Sequence, residues 1–172
     1  MRRRRPLPPP VPPPVRAIVV DGSNVIASGS ARAQQRLQLA LAWCRAWRTD
    51  LAVELFVDHA TVGRCSGEVQ DWLRAQDGPA GAAASSAPRV VLCPPAVAAD
   101  APLLRRAAEL QALVLSNDRF FDHAALRAGV LTLQFALARG AFAPADHATW
   151  FRARGPAVRV PLAVLRNGPD AA

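Results

Sequence analysis

A chain of 172 residues with 51% hydrophobic content is long enough for one domain with a sizeable core, and no apolar run approaches the roughly 20 residues a membrane-spanning helix needs, which argues against a membrane partner. The net charge of +8 comes from arginine alone, with no lysine; four arginines stand at residues 2–5, and the rest of the chain is still basic, so a polyanion is the natural partner. Cys44, Cys65 and Cys93 form no CxxC pair and no Cys/His metal spacing, which excludes a disulfide scaffold and a structural zinc site and fits reduced, buried thiols in the cytoplasm.

The opening segment MRRRRPLPPPVPPPV carries charge followed by proline. Polyproline is extended and cannot form the apolar helix of a signal peptide, so residues 1–14 read as a disordered Arg/Pro-rich tail, either a nonspecific phosphate contact or the product of a misplaced start. From residue 15 strand and helix signals alternate up to about residue 166, with a flexible C-terminus over 167–172. VRAIVV (15–20) is short and β-branched, hence a strand. ARAQQRLQLALAWCRAW (31–47) is a helix with Leu39, Trp43 and Trp47 at i, i+4 spacing and Leu37, Leu41 and Cys44 beside them. Its wide apolar face is either core or the face of a homodimer.

LAVELFVDH (51–59) is the second strand, ending in Asp58 and His59, which read as turn residues. GRCSGEVQDWLRAQ (63–76) holds a short helix, and DGPAGAAASSAP (77–88) is a loop by composition. RVVLC (89–93) is the third strand. A helix over 100–111 follows, with Asp100 as its cap and Pro102 in its first turn. ALVLS (112–116) is the fourth strand, DRFFDHAALR (118–127) a helix, and VLTLQFAL (130–137) the fifth strand. The remainder is irregular, with room for a further strand or a packing arm. Alternating β and α units whose strands are continuous apolar runs imply an α/β fold: a buried, mainly parallel sheet with helices on both faces.

In such sheets ligands lie beyond the carboxyl ends of the strands, where the strand order reverses. Asp21, in AIVVDGSNV, ends the first strand, and Asp118, in VLSNDRFFD, stands just past the fourth. In an order such as 3-2-1-4-5 the two strands are neighbours. Asp122 lies one helical turn after Asp118, on the same face if that helix forms, and Asp100 opens a helix at the same edge. Taken singly, each has an ordinary reading: a DG turn, a helix cap, an SND cap, a solvated face. Taken together they place four carboxylates at one edge, a costly arrangement unless a hard cation such as Mg²⁺, or Mn²⁺, offsets the repulsion. His59, His123 and His147 are scattered and read as surface or packed residues rather than ligands.

These motifs together resemble a NYN domain of the PIN-like nuclease superfamily, closest to the Regnase-type ribonucleases. The matching residues are VVDGSNV, the acid that opens a helix at Asp100, and VLSNDRFFD; FAPADHATWFRARGP also resembles the family's segment after the last core strand, so that the likeness covers about residues 16–165. The resemblance implies a three-layer αβα sandwich with about five strands (PIN-like/Rossmann-like) and a metal-dependent endoribonuclease acting on single-stranded or loop RNA. By residue, it implies that Asp21, Asp100, Asp118 and Asp122 hold Mg²⁺ directly or through water. Asn24 would orient a carboxylate or touch the scissile phosphate, and Ser116 and Asn117 would shape the turn presenting Asp118. One departure stands out: Ala99 occupies the position before Asp100 where Regnase-type domains usually carry a second acid, which weakens the expectation of activity relative to that of fold.

In this reading one or two metal ions activate water for in-line attack. Arg119, beside Asp118, is the first candidate for phosphate contact, with Arg105, Arg106 and Arg127 extending the track. Two other readings compete: a catalytically weak NYN domain serving as an RNA- or protein-binding module, and a toxin-type PIN nuclease. A phosphatase with an aspartyl nucleophile is disfavoured, because Gly22-Ser23 follows Asp21 where a second acid is expected at position 23.

Overall fold

The computed structural model describes residues 15–27, 33–78, 88–138 and 141–145. The Arg/Pro tail, most of the 77–88 loop, and everything from residue 146 onward, including His147 and the C-terminal segment, lie outside the described residues.

The apolar runs become the strands the sequence suggests: β1 (Ala17–Asp21), β2 (Ala52–Val57), β3 (Arg89–Leu92), β4 (Ala112–Leu115) and β5 (Leu131–Ala138). They pair in parallel in the order β3-β2-β1-β4-β5, so β1 and β4 are neighbours and the order reverses between them. A sixth strand, β6 (Ala141–Ala145), pairs antiparallel with β5 at the edge. Its sequence, AFAPA, has weak strand propensity, and a proline there is tolerated because the strand is an edge.

Both faces of the sheet are covered. By strand alternation Ile18 and Val20 of β1 point to one side with Leu55, Val57, Leu113 and Leu115, under α1 (Gly22–Ile26), α2 (Ala33–Trp47) and α4 (Gly67–Ala75). Ala17 and Val19 point to the other with Phe56 and Val114, under α5 (Asp100–Leu110). The apolar face of α2 is core: Leu37, Leu41, Trp43 and Cys44 are buried, and Trp43 stacks on Trp47 at 5.4 Å and meets Phe142 of β6 at 5.7 Å. Leu103 and Leu104 are fully buried and fasten α5 to the sheet. Each contributes about 1.5–3 kcal/mol, far more than the 0.3–0.5 or so from an exposed pair such as Arg106–Glu109.

Three local expectations change. The segment 118–127 is not one helix. Asp118 Oδ1 accepts the N–H of Phe120 (2.8 Å), Phe120 is left-handed (φ 51°), and only then come a 3₁₀ turn (Phe121–His123) and the single turn of α6 (Ala124–Arg127). Asp118 and Asp122 therefore do not share a helical face. Asp58 and His59 are not a bare turn: Asp58 caps α3 (His59–Gly63), accepting from Thr61 N at 2.6 Å. Asp100 is the first helical residue of α5 and makes no side-chain cap bond.

Arg106 also departs from its expected role on an RNA track. Its guanidinium makes two 2.9 Å bonds to Glu54, which is buried in β2 and also receives Arg89 at 2.9 Å. Burial would raise the Glu54 carboxyl, but the bonds and charges of Arg106 and Arg89 outweigh it and hold it below the usual range. Arg106 is thus a structural tie between α5 and β2. Glu54→Ala strands two guanidiniums and is expected to destabilise the chain by about 3 kcal/mol, the lower end for breaking a buried pair because Arg106 is partly solvated. Urea denaturation measures this, and a loss under about 1 kcal/mol would show the cluster to be dispensable.

Candidate metal centre

Each residue of Asp21-Gly22-Ser23-Asn24 does separate work at the end of β1. Asp21 is 3% exposed, and alternation sends its side chain toward the α5 layer. Its Oδ1 accepts the N–H of Asn24 (2.9 Å), capping α1, and its Oδ2 accepts the hydroxyl of Ser116 (2.6 Å). A Cβ on Gly22 would stand 2.7 Å from Val57 Cγ2 and 2.8 Å from the carbonyl oxygen of Phe56, so only glycine lets α1 start this close to β2. Ser23 Oγ accepts the N–H of Asp58 (2.9 Å) and Asn24 Oδ1 that of Asn117 (3.1 Å). The motif ties the end of β1 to the ends of β2 and β4.

The turn after β4 is held as tightly. Ser116 N donates to Leu133 O (3.1 Å), Ser116 Oγ accepts the N–H of Asp118 (3.0 Å), and Asn117 Oδ1 accepts that of Phe135 (2.8 Å). Ser116 therefore bridges Asp21 and the backbone that presents Asp118. Asn24 acts here through its backbone on Asp21 and through its side chain on the Asn117 turn.

The acids feel one another. Burial pushes the Asp21 carboxyl up to about 6 against the hydrogen bonds from Ser116 and Asn24, with Asp100 and Asp118 adding repulsion. Asp100 is raised as well, first by burial and then by Asp118, with lesser repulsion from Asp58 and Asp122; His123 acts in the opposite sense. Its Nε2 lies 3.9 Å from Asp100 Oδ2, a contact that becomes an ion pair when the imidazole is protonated. Asp21 thus feels the charges of Asp100 and Asp118, and Asp100 those of Asp118 and Asp122, past the ends of β1 and β4.

Two neighbours went unread in the sequence. Asp58 was hidden in a DH pair indistinguishable from a turn, although it ends a strand adjacent to β1 and so sits at the same edge. His123 was hidden because its meeting with Asp100 depends on the 3₁₀ turn. Of the arginines, Arg105, Arg119 and Arg127 are exposed on α5, on the turn after β4 and on α6, whereas Arg106 is committed to Glu54. All three cysteines are free and buried, and burial pushes Cys44 up to about 12.

The donor set fits a hard divalent ion. Asp21 is a buried carboxylate with no cationic partner among the described residues, and its neighbours are oxygen donors of the same sign. Among the described residues no three Asp, Glu, His or Cys side chains stand close enough to form a ready-made coordination group. The acids form a rim rather than a closed cage.

No family model and no curated protein matches this chain. Solved structures do. One is nuclear protein-only RNase P 2 (PRORP2) of Arabidopsis thaliana, at 14% identity with a TM-score of 0.50 over 76% of this chain and 29% of that one. A second structure, nuclear proteinaceous RNase P 2 (PRORP2) from A. thaliana, superposes with a TM-score of 0.52 at 14% identity over 75% of this chain and 29% of that one. The chain thus spans less than a third of the plant protein's length. At this identity the likeness is one of fold: a PIN-like, Rossmann-like α/β arrangement with a parallel central sheet.

The buried Asp21 sets a pH dependence. An unfolded aspartate, near 3.8, loses its proton before the folded one, near 6. The unfolded state therefore binds fewer protons between those values, and Asp21's contribution to stability falls as pH rises through that window. Glu54 and Asp58 shift the opposite way, so the readout is a difference between proteins. In metal-free buffer the unfolding free energy of Asp21→Asn relative to wild type is expected to move by about 2 kcal/mol in the variant's favour between pH 4 and pH 7. A difference that does not change with pH would show that Asp21 is not held in this way.

Proposed function

We propose that this chain is a divalent-metal-dependent ribonuclease of the NYN type that hydrolyses phosphodiester bonds of RNA. The observation that carries the proposal is the buried Asp21, bonded to Ser116 and the Asn24 N–H at the strand-order reversal of a net basic protein and raised by burial with added repulsion from Asp100 and Asp118. The PIN-like fold shared with RNase P structures supports it, and the Regnase-type assignment rests on the DGSNV and SNDRFFD motifs.

Asp21, Asp100, Asp118 and Asp122 would hold Mg²⁺, or Mn²⁺, directly or through water. When bound, the ion supplies a more acidic attacking water and neutralises charge that develops on the phosphate. The chain's own residues do the positioning. Ser116 and the Asn24 N–H fix the Asp21 carboxylate, and Ser116 also fixes the backbone at Asp118. His123 faces Asp100 and restrains it. Arg105, Arg119 and Arg127 are exposed cations available to RNA phosphates.

The second reading, an RNA-binding module without cleavage, draws on Ala99 in place of a second acid and on the open rim. The two part on one experiment. Labelled single-stranded and hairpin RNA, incubated with the full chain and Mg²⁺ or Mn²⁺, is expected to be cut internally. Asp21→Asn and Asp118→Asn are expected to cut at least about a hundredfold more slowly, and EDTA to abolish cleavage. Salt-sensitive binding without product at any metal concentration would establish the binding module, and cleavage unchanged in both variants would remove the metal centre.

A further inference from the structure

One side chain beside the rim is explained neither by the core nor by the acids. Phe121 is 72% exposed, and among the described residues only Val97 shares its status as an exposed large apolar side chain. The exposure is built in. Phe120 takes the left-handed conformation (φ 51°, ψ 41°), its N–H bound to Asp118, its ring 2% exposed beneath α5. A non-glycine residue in that region costs on the order of 1–3 kcal/mol, so the surrounding structure, not local preference, turns Phe120 in and Phe121 out.

The surroundings of the ring are cationic and apolar. The Arg119 guanidinium lies 6.0 Å from the ring centre, within cation–π range, and leaves most of the ring to solvent. Next to it opens a hollow of about 240 Å³ lined by Phe120, Phe121, Ala124, Arg127, Ala128 and Val130. Its lining holds one cation and no carboxylate. Asp122 and His123 follow Phe121 directly in the chain, and His123 Nε2 lies 3.9 Å from Asp100 Oδ2 of the acid rim.

We propose that Phe121 is a stacking platform for an unpaired base of a single-stranded RNA, with Arg119 and Arg127 contacting the adjacent phosphates. An open aromatic ring among arginines is how sequence-tolerant single-strand sites are built, because every base offers a π-face and every linkage a phosphate. A continuous duplex keeps its base faces stacked inside and cannot use the ring. The inference rests on the ribonuclease reading for what passes the rim, and it selects unpaired RNA over duplex.

The test uses the full chain in EDTA, with fluorescence anisotropy on a labelled short oligouridine and a blunt RNA duplex of equal length. Phe121→Ala is expected to weaken oligouridine binding roughly tenfold and duplex binding by less than about twofold; Phe121→Trp is expected to restore the loss. Wild-type protein that does not bind oligouridine, a Phe121→Ala variant that binds it as wild type does, or equal losses on both probes would overturn the proposal. So would a change of Phe121→Ala from dimer to monomer on gel filtration with RNA affinity unchanged, which would make the ring a contact between copies. The two readings fail separately. Wild type that binds oligouridine through Phe121 but leaves it uncut with Mg²⁺ or Mn²⁺ keeps the platform and loses the nuclease. Metal-dependent cleavage with the same KM in Phe121→Ala keeps the nuclease and loses the platform.

Discussion

The organisation of this molecule turns on a carboxylate buried at the end of a central strand. Asp21 has two hydrogen bonds, from Ser116 and from the Asn24 N–H, and they are not enough: burial still lifts it to about 6. An ionisable group in that position would be costly if stability were all that mattered. The chain nevertheless builds its tightest connections around it. Gly22 lets β2 approach, Ser23 and Asn24 tie down the ends of β2 and β4, and Ser116 divides its hydroxyl between Asp21 and the backbone of Asp118. Three strand ends are locked together so that one unsatisfied acid stays where other acids can reach its field.

The charges fall into two groups that composition cannot separate. Glu54, Arg89 and Arg106 neutralise one another between β2, β3 and α5 and commit their charge to structure. At the strand-order reversal, by contrast, Asp21 and Asp100 are both raised, by burial first and then by the charge of neighbouring acids, and no described cation pairs with Asp21. A self-contained cluster stabilises a fold, whereas an uncompensated one marks a place where an outside charge belongs.

The fold was readable because it depends on signals local to each segment. Apolar runs separated by helical periodicity predict a parallel sheet, and the acids after the first and fourth strands make sense only if those strands are neighbours, as they are. What escaped was decided by single backbone states. The Asp118 carboxylate captures the Phe120 N–H and Phe120 turns left-handed, which no propensity signals in a stretch that otherwise looks helical. That one turn breaks the expected Asp118–Asp122 helical face and brings His123 to Asp100. The fate of Arg106 was equally hidden, because its partner Glu54 lies 52 positions away in an otherwise apolar strand. AFAPA became a strand through the packing of Phe142 against Trp43 and Phe135, not through its own preference.

Fold and chemistry are separate matters in this molecule, since one fold hosts many functions. The likeness to RNase P structures at 14% identity fixes the sheet and says nothing of any residue in the rim. The chemistry of the rim follows from its own geometry. Among the described residues no three acid, histidine or cysteine side chains stand close enough to form a ready-made coordination group, so that geometry offers a row of acids rather than a built metal site. Within that row the buried Asp21, held by the Ser116 hydroxyl and the Asn24 N–H, is the element whose position the fold fixes.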